Sequence, residues 1–177
     1  MAAGDRRPYM AAMESRFRIQ DSEGAAARRA AAVDRIKAET GIDEAMISDL
    51  VEAFYGRVRA DDLIGPIFAA RIDDWAPHLA QMKLFWSSVA LSSGAYQGRP
   101  MPKHLPLPVD ARHFDRWLTL FEATTRDLCP PVAATHFIER ARRIAESLEL
   151  GIANANGVLL GVGERYRRRA ESRGPAD

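Results

Sequence analysis

A single cysteine, Cys129, stands among the 177 residues, which excludes an internal disulfide framework and a cysteine-built structural zinc site. The same scarcity points to a reducing compartment, the cytoplasm, and the N-terminus never develops the apolar stretch of a secretory signal. No apolar run approaches the ~18 residues that a membrane-spanning helix needs, so no membrane is expected as a partner. Excess charge is missing too. The 25 Lys and Arg against 24 Asp and Glu leave +1, which gives nucleic acid or an anionic membrane little to hold. The chain has no glycine-rich phosphate loop, no HExxH and no paired-cysteine metal spacing. No window alternates with period two, and no repeat, low-complexity tract or interior linker divides it. What is present, 47% hydrophobic and 28% charged residues, suits one ordinary globule large enough to bury a sizeable core.

The periodic segments are all helical, so the expected class is all-α. Residues 1–24 mix charges without an apolar stripe and read as a loose extension. An Ala- and Arg-rich helix over 25–39, with Val33 and Ile36 its only large apolar residues, stops at Gly41. Ile47, Val51, Phe54, Tyr55 and Val58 recur at helical spacing, and Asp43 is placed to cap a helix over 43–59. Gly65-Pro66 limits the next stretch to short turns that deliver Phe68 inward. Asp73 is expected to cap a second long helix with Trp75, His78, Leu79, Met82, Phe85, Trp86 and Val89 on one stripe. Four prolines between Pro100 and Pro108 forbid a long helix there but stiffen the backbone around His104. A third helix over about 110–128 should bury Phe114, Trp117, Leu118 and Phe121. A fourth, starting at Pro130-Pro131 and running to about 155, should bury Val132, Phe137, Ala141, Ile144 and Leu148. The tail over 164–177 holds five Arg and reads as frayed.

Chemistry must then come from polar residues set in apolar surroundings: Tyr55, His78, His104 and Trp117. Each has an ordinary reading by itself. His104 suits an exposed loop, His78 a hydrogen-bonded core position, and Tyr55 and Trp117 plain packing. Rigid flanks around His104 favour the other reading, because a metal ligand must be held in one orientation. Cys129, with no basic neighbour, reads as structural.

Several motifs in fixed order add weight to the set. Phe54-Tyr55, Leu63-Ile-Gly-Pro-Ile-Phe68, Trp75-Ala-Pro-His78, Phe85-Trp86, the run from Tyr96 to Leu105 and the run from His113 to Phe121 resemble the truncated haemoglobins of the third group. The match spans residues 25–163, and the absence of any Gly-Gly pair agrees with that group. The resemblance implies a two-over-two globin of four main helices around one haem b, with an added N-terminal helical or disordered extension. It implies His104 as the iron ligand, Tyr55 and Trp117 as polar residues over the bound gas, His78 at the distal histidine position and Phe68 against the haem edge.

A flat apolar cofactor needs a slot, for which Phe68, Met82, Phe85 and Leu118 are suited. Lys83, Arg99 or Lys103 can pair with the anionic propionates. Gly98 to Val109 contains no Asp or Glu, so a backbone carbonyl is the expected partner of the His104 ring, although Asp110 or a distant carboxylate would also serve. The implied ligand is dioxygen or another diatomic gas such as NO or CO. NO dioxygenase or weak peroxidase turnover would draw on an external electron-donor reductase. A haem-free helical regulator or interaction protein is the alternative, with the histidines as ordinary core residues.

Overall fold

The computed structural model describes the backbone of residues 7–168 and the side chains of residues 24–168, and among these it holds seven helices. They are α1 (Arg7–Thr40), α2 (Glu44–Arg59), α3 (Gly65–Ala69), α4 (Trp75–Leu91), α5 (Pro100–His104), α6 (Ala111–Leu128) and α7 (Pro131–Ala155). The long elements α2, α4, α6 and α7 pair two on two: α2 lies against α4 and α6, and α7 against α6 and α4. That is the architecture the resemblance implies.

The helix ends follow local chemistry. Asp43 accepts the Met46 N–H at 2.8 Å and Asp110 the Arg112 N–H at 3.1 Å, each satisfying an orphan donor of a first turn. At α4 the expectation was off by one residue: Asp74, not Asp73, accepts the Ala76 N–H at 3.0 Å. The two aspartates have the same propensity, and register decides between them. Gly41 ends α1 with a φ of 71°, a left-handed conformation that costs glycine nothing. The last carbonyls of α4 are bonded from α7, where His136 Nε2 donates to Ala90 O at 2.8 Å and Arg140 Nε to Val89 O at 3.0 Å.

Residues 7–24 and 164–168 hold more structure than the sequence suggested. The stretch read as a loose extension is, from Arg7, the first half of the 34-residue α1, and residues 1–6 lie outside the described residues. The Ala-rich run over 25–32 propagates helix readily, and Pro8 sits in the first turn, where its missing N–H breaks no intrahelical bond. The tail read as frayed from residue 164 is docked at Tyr166, which is 3% exposed; residues 169–177 lie outside the described residues. Val132 is 59% exposed instead of buried, because the first turn of α7 turns that position outward.

The core is aromatic at its centre. Trp86 stacks on Phe121 with centroids 4.6 Å apart, and Trp117 stacks on Phe121 at 5.3 Å, 4° from parallel. Phe54 meets Phe121 edge-on at 5.1 Å and Trp117 at 5.4 Å. Each such pair contributes about 0.5–1.5 kcal/mol beyond area burial. They fix the rotation of α6 against α2 and α4. Cys129 is buried at the end of α6 as a free thiol, and burial raises its pKa, in line with a structural role. No helix among the described residues is long and apolar enough to cross a membrane.

His136 makes this packing pH-sensitive. Burial, and then the nearby Arg140, hold its pKa below the ordinary value of 6.5, against the opposing pull of the Ala90 carbonyl, Glu139 and Glu39. The unfolded chain therefore takes up the proton first, and stability falls as the pH drops below 6.5 toward the folded value. His136→Gln should show a smaller fall in Tm between about pH 7.5 and 5.5 than the parent, by calorimetry. Equal falls would contradict this account.

Candidate functional site

The proline-rich piece folds into the five-residue α5, with Pro100 in its first turn and His104 at its end. The His104 ring turns back along its own helix, and Nδ1 lies 2.8 Å from the Pro100 carbonyl oxygen. A carbonyl only accepts, so Nδ1 carries the hydrogen and Nε2 keeps its lone pair. The expectation of a carbonyl partner in place of a carboxylate holds. Asp110 is engaged elsewhere, capping α6 and bonded to Arg112 and His113. Burial alone would raise its carboxyl, but those hydrogen bonds bring its pKa down to about 2.

Three other elements supply the remaining side chains. Tyr55 on α2 is 5% exposed, and His78 on α4 meets it edge-on with ring centroids 5.1 Å apart. Phe68 on α3 lies 5.9 Å from Tyr55, and Trp75 lies 5.7 Å from His78. Trp117 on α6 joins the group through Phe54, which touches both Trp117 and, at 5.1 Å, Tyr55. Among the described residues, neither the Tyr55 hydroxyl nor the Trp117 indole N–H has a hydrogen-bond partner. Burial pushes the Tyr55 phenol well above its usual range, so it stays protonated and able to donate.

His78 Nε2 is buried and has no hydrogen-bond partner among the described residues. An unmet buried polar atom costs about 1–3 kcal/mol. Burial, followed by the charges of Lys103 and His104, lowers the His78 pKa, which favours the neutral imidazole. Of the residues expected from the sequence to share one site, Tyr55 on α2 and His78 on α4 are in ring contact, and His104 stands on α5.

The apolar residues expected to line a slot share one condition. Phe68, Met82, Phe85 and Leu118 are half-buried, packed against the edge of the core instead of inside it. Leu118 touches the main core and a second, smaller one. The cations differ: Lys83 reaches Glu52 at 2.7 Å, which competes with any role toward a propionate. Arg99 and Lys103 are exposed, with no carboxylate partner among the described residues. This donor set suits an iron porphyrin. One imidazole has a free lone pair, a second and buried imidazole lacks a partner, two further donors are unspent, and the apolar rim residues are not consumed by the core.

Comparison with known proteins agrees. Residues 38–149 match the family model of the bacterial-like globins. The group 3 truncated hemoglobin ctb of Campylobacter jejuni is 35% identical over 119 residues, which is 64% of this chain and 93% of that protein. The chain belongs to the truncated haemoglobins of the third group. The crystal structure of a group III truncated hemoglobin from the same organism superposes with a TM-score of 0.58 at 33% identity, over 70% of this chain and 95% of that one. A truncated oxygen-avid haemoglobin from Bacillus subtilis gives a TM-score of 0.53 at 27% identity, over 61% of this chain and 94% of that one. A second-group relative, YjbI of Bacillus subtilis, is 32% identical over 83 residues, 44% of this chain and 61% of that protein.

Two features of this truncated haemoglobin escaped sequence reasoning. Trp75 packs against both Tyr55 and His78, with the Arg59 guanidinium 5.0 Å over its ring; its spacing three residues before His78 was the available signal. Asp61, 4% exposed in its side chain, accepts the N–H groups of Leu63 and Ile64 and the Arg116 Nε at 2.6 Å. This clasp joins the α2–α3 corner to α6 next to Trp117. Burial pushes the Asp61 carboxyl up, but the N–H of Ile64 and then Arg116 outweigh it and leave the pKa lowered. Asp61→Ala should cost on the order of 3 kcal/mol, because it strips three hydrogen bonds from one buried acceptor. Urea unfolding measures it, and a loss below about 0.5 kcal/mol would count against the clasp.

Proposed function

We propose that this truncated haemoglobin holds one haem b through His104 and reversibly binds dioxygen, with NO and CO as further ligands. The reading is supported by two imidazoles with a nitrogen to spare: His104, whose Nδ1 is committed to Pro100, and the buried His78, whose Nε2 lacks a partner. When bound, the haem supplies the iron at which a diatomic gas is taken up, together with the redox chemistry that NO or peroxide turnover requires.

The chain's own residues do the rest. His104 Nε2 is the neutral ligand, and its carbonyl partner makes it less basic than a carboxylate partner would, which suits reversible binding over dedicated peroxidase chemistry. Tyr55 and Trp117 donate hydrogen bonds to the gas, and His78 gates its entry by moving between pocket and solvent. Phe68, Met82, Phe85 and Leu118 line the slot and keep water out. Arg99 and Lys103 pair with the propionates; Lys83 does so only by giving up Glu52. Any turnover takes electrons from a separate reductase, and the cytoplasm is the compartment that suits it.

Each neutral hydrogen bond is worth about 1 kcal/mol net, and 1.4 kcal/mol is tenfold in rate, so losing one donor should speed gas release about five- to tenfold. Stopped-flow measurement of dioxygen release from Tyr55→Phe and Trp117→Phe checks this, with CO release changing far less because CO draws less charge. Unchanged dioxygen release in both variants would remove Tyr55 and Trp117 from the role. A chain that stays colourless with added haemin would end the whole reading.

A further inference from the structure

The iron ligand of this reading sits on a helix that cannot hold itself. The five residues of α5 include no buried one, and a lone turn of this length has no stability of its own in water. One support comes from α7. Met101 lies over Gly151 so closely that a Cβ there would meet its Sδ at 2.4 Å. The other support comes from the tail, beyond residues 38–149, which match the globin family model.

Arg165 and Tyr166 tie three elements together. The Arg165 guanidinium donates to both carboxylate oxygens of Glu149 near the end of α7, at 2.7–3.0 Å, and to Asp115 on α6 at 2.7 Å. Glu149 is 4% exposed and accepts the Tyr166 N–H as well, at 2.7 Å. The Tyr166 carbonyl accepts the N–H of Ala111, the first residue of α6, at 2.9 Å, and the Arg168 N–H reaches the Asp110 carboxylate at 3.4 Å. The Tyr166 side chain belongs to the second core with Val109, Phe114, Ala145, Ile152 and Ala153. Leu105 and Leu107, which follow His104 directly, pack on that same core, as does Leu118 of the slot. A buried carboxylate carrying four hydrogen bonds is costly to maintain unless it fixes something.

We infer that residues 164–168 are a latch that fixes the connection between α5 and α6, and that Arg165 and Tyr166 are positioning residues for the His104 ligand. The inference rests on the reading of His104 as the iron ligand. Loosening the latch frees the 105–110 connection, tilts α5 and weakens the proximal bond, while the distal residues Tyr55, His78 and Trp117 stay in place.

The test compares the parent with Tyr166→Ala, Arg165→Gln and Tyr166→Phe, all as full chains. In the haem-free chain, hydrogen exchange at the Leu105 and Leu107 amides should quicken about tenfold in the first two variants, with α2 amides unchanged. With haem bound, transfer to an excess of an acceptor globin should also quicken about tenfold. Tyr166→Phe should match the parent, because the hydroxyl has no hydrogen-bond partner among the described residues. Arg165→Gln opens no hole in the core and keeps the test readable should Tyr166→Ala fail to fold. A parent that takes up no haem overturns the reading beneath the latch. A parent that holds haem, with both variants losing it no faster, overturns the latch itself.

Discussion

The hydrogen bond from His104 Nδ1 to the Pro100 carbonyl is the constraint on which the site depends. It sets the tautomer, leaves Nε2 free as a neutral donor of electrons, and turns the ring relative to α5. Pro100 has no N–H and a fixed φ, so its carbonyl sits in a stiff first turn, and the bond forms with little further loss of freedom. A short helix nevertheless fixes its side chain only as well as it is itself fixed. Met101 on Gly151 and the docked Tyr166 therefore belong to the same constraint, at one remove.

Tyr55 and Trp117 are held chiefly by ring packing. Trp117 lies flat on Phe121 and is met edge-on by Phe54, which also touches Tyr55, so the two donors share one rigid neighbour. The Asp61–Arg116 clasp fixes α6 beside that stack. His78 differs from both: its buried Nε2 is unsatisfied, an energetic cost that the surrounding Tyr55 and Trp75 rings do nothing to relieve. A side chain with such a deficit has a reason to move toward a ligand or toward water, which is the property a gate requires.

Much of this was legible in the residues. Helical spacing, with the cap at Asp43 for α2, gives α2 and α6 almost to the residue, and the prolines mark α5 as short and stiff. The acid-free run from Gly98 to Val109 gives the carbonyl partner of His104. What failed depended on tertiary contacts. Asp73 and Asp74 cannot be told apart by propensity. The tail looks unfoldable from its arginines, and the carboxylates that give Arg165 a place to go, Glu149 and Asp115, lie on two other helices. Lys83 seemed available for an anion because Glu52 lies on another helix. Residues 7–24 lack an apolar stripe, yet α1 runs through them, since no proline interrupts 9–24 and a helix carried by the Ala-rich run over 25–32 extends at little cost once begun.

The central claim is that one neutral imidazole, that of His104, holds the iron. The iron–imidazole stretching band of the ferrous protein, read by resonance Raman spectroscopy in the parent and in His104→Gly with and without added imidazole, tests it most directly. The account predicts a band in the parent, its loss in the variant and its return when imidazole is added. A band that survives unchanged in His104→Gly without imidazole would contradict it.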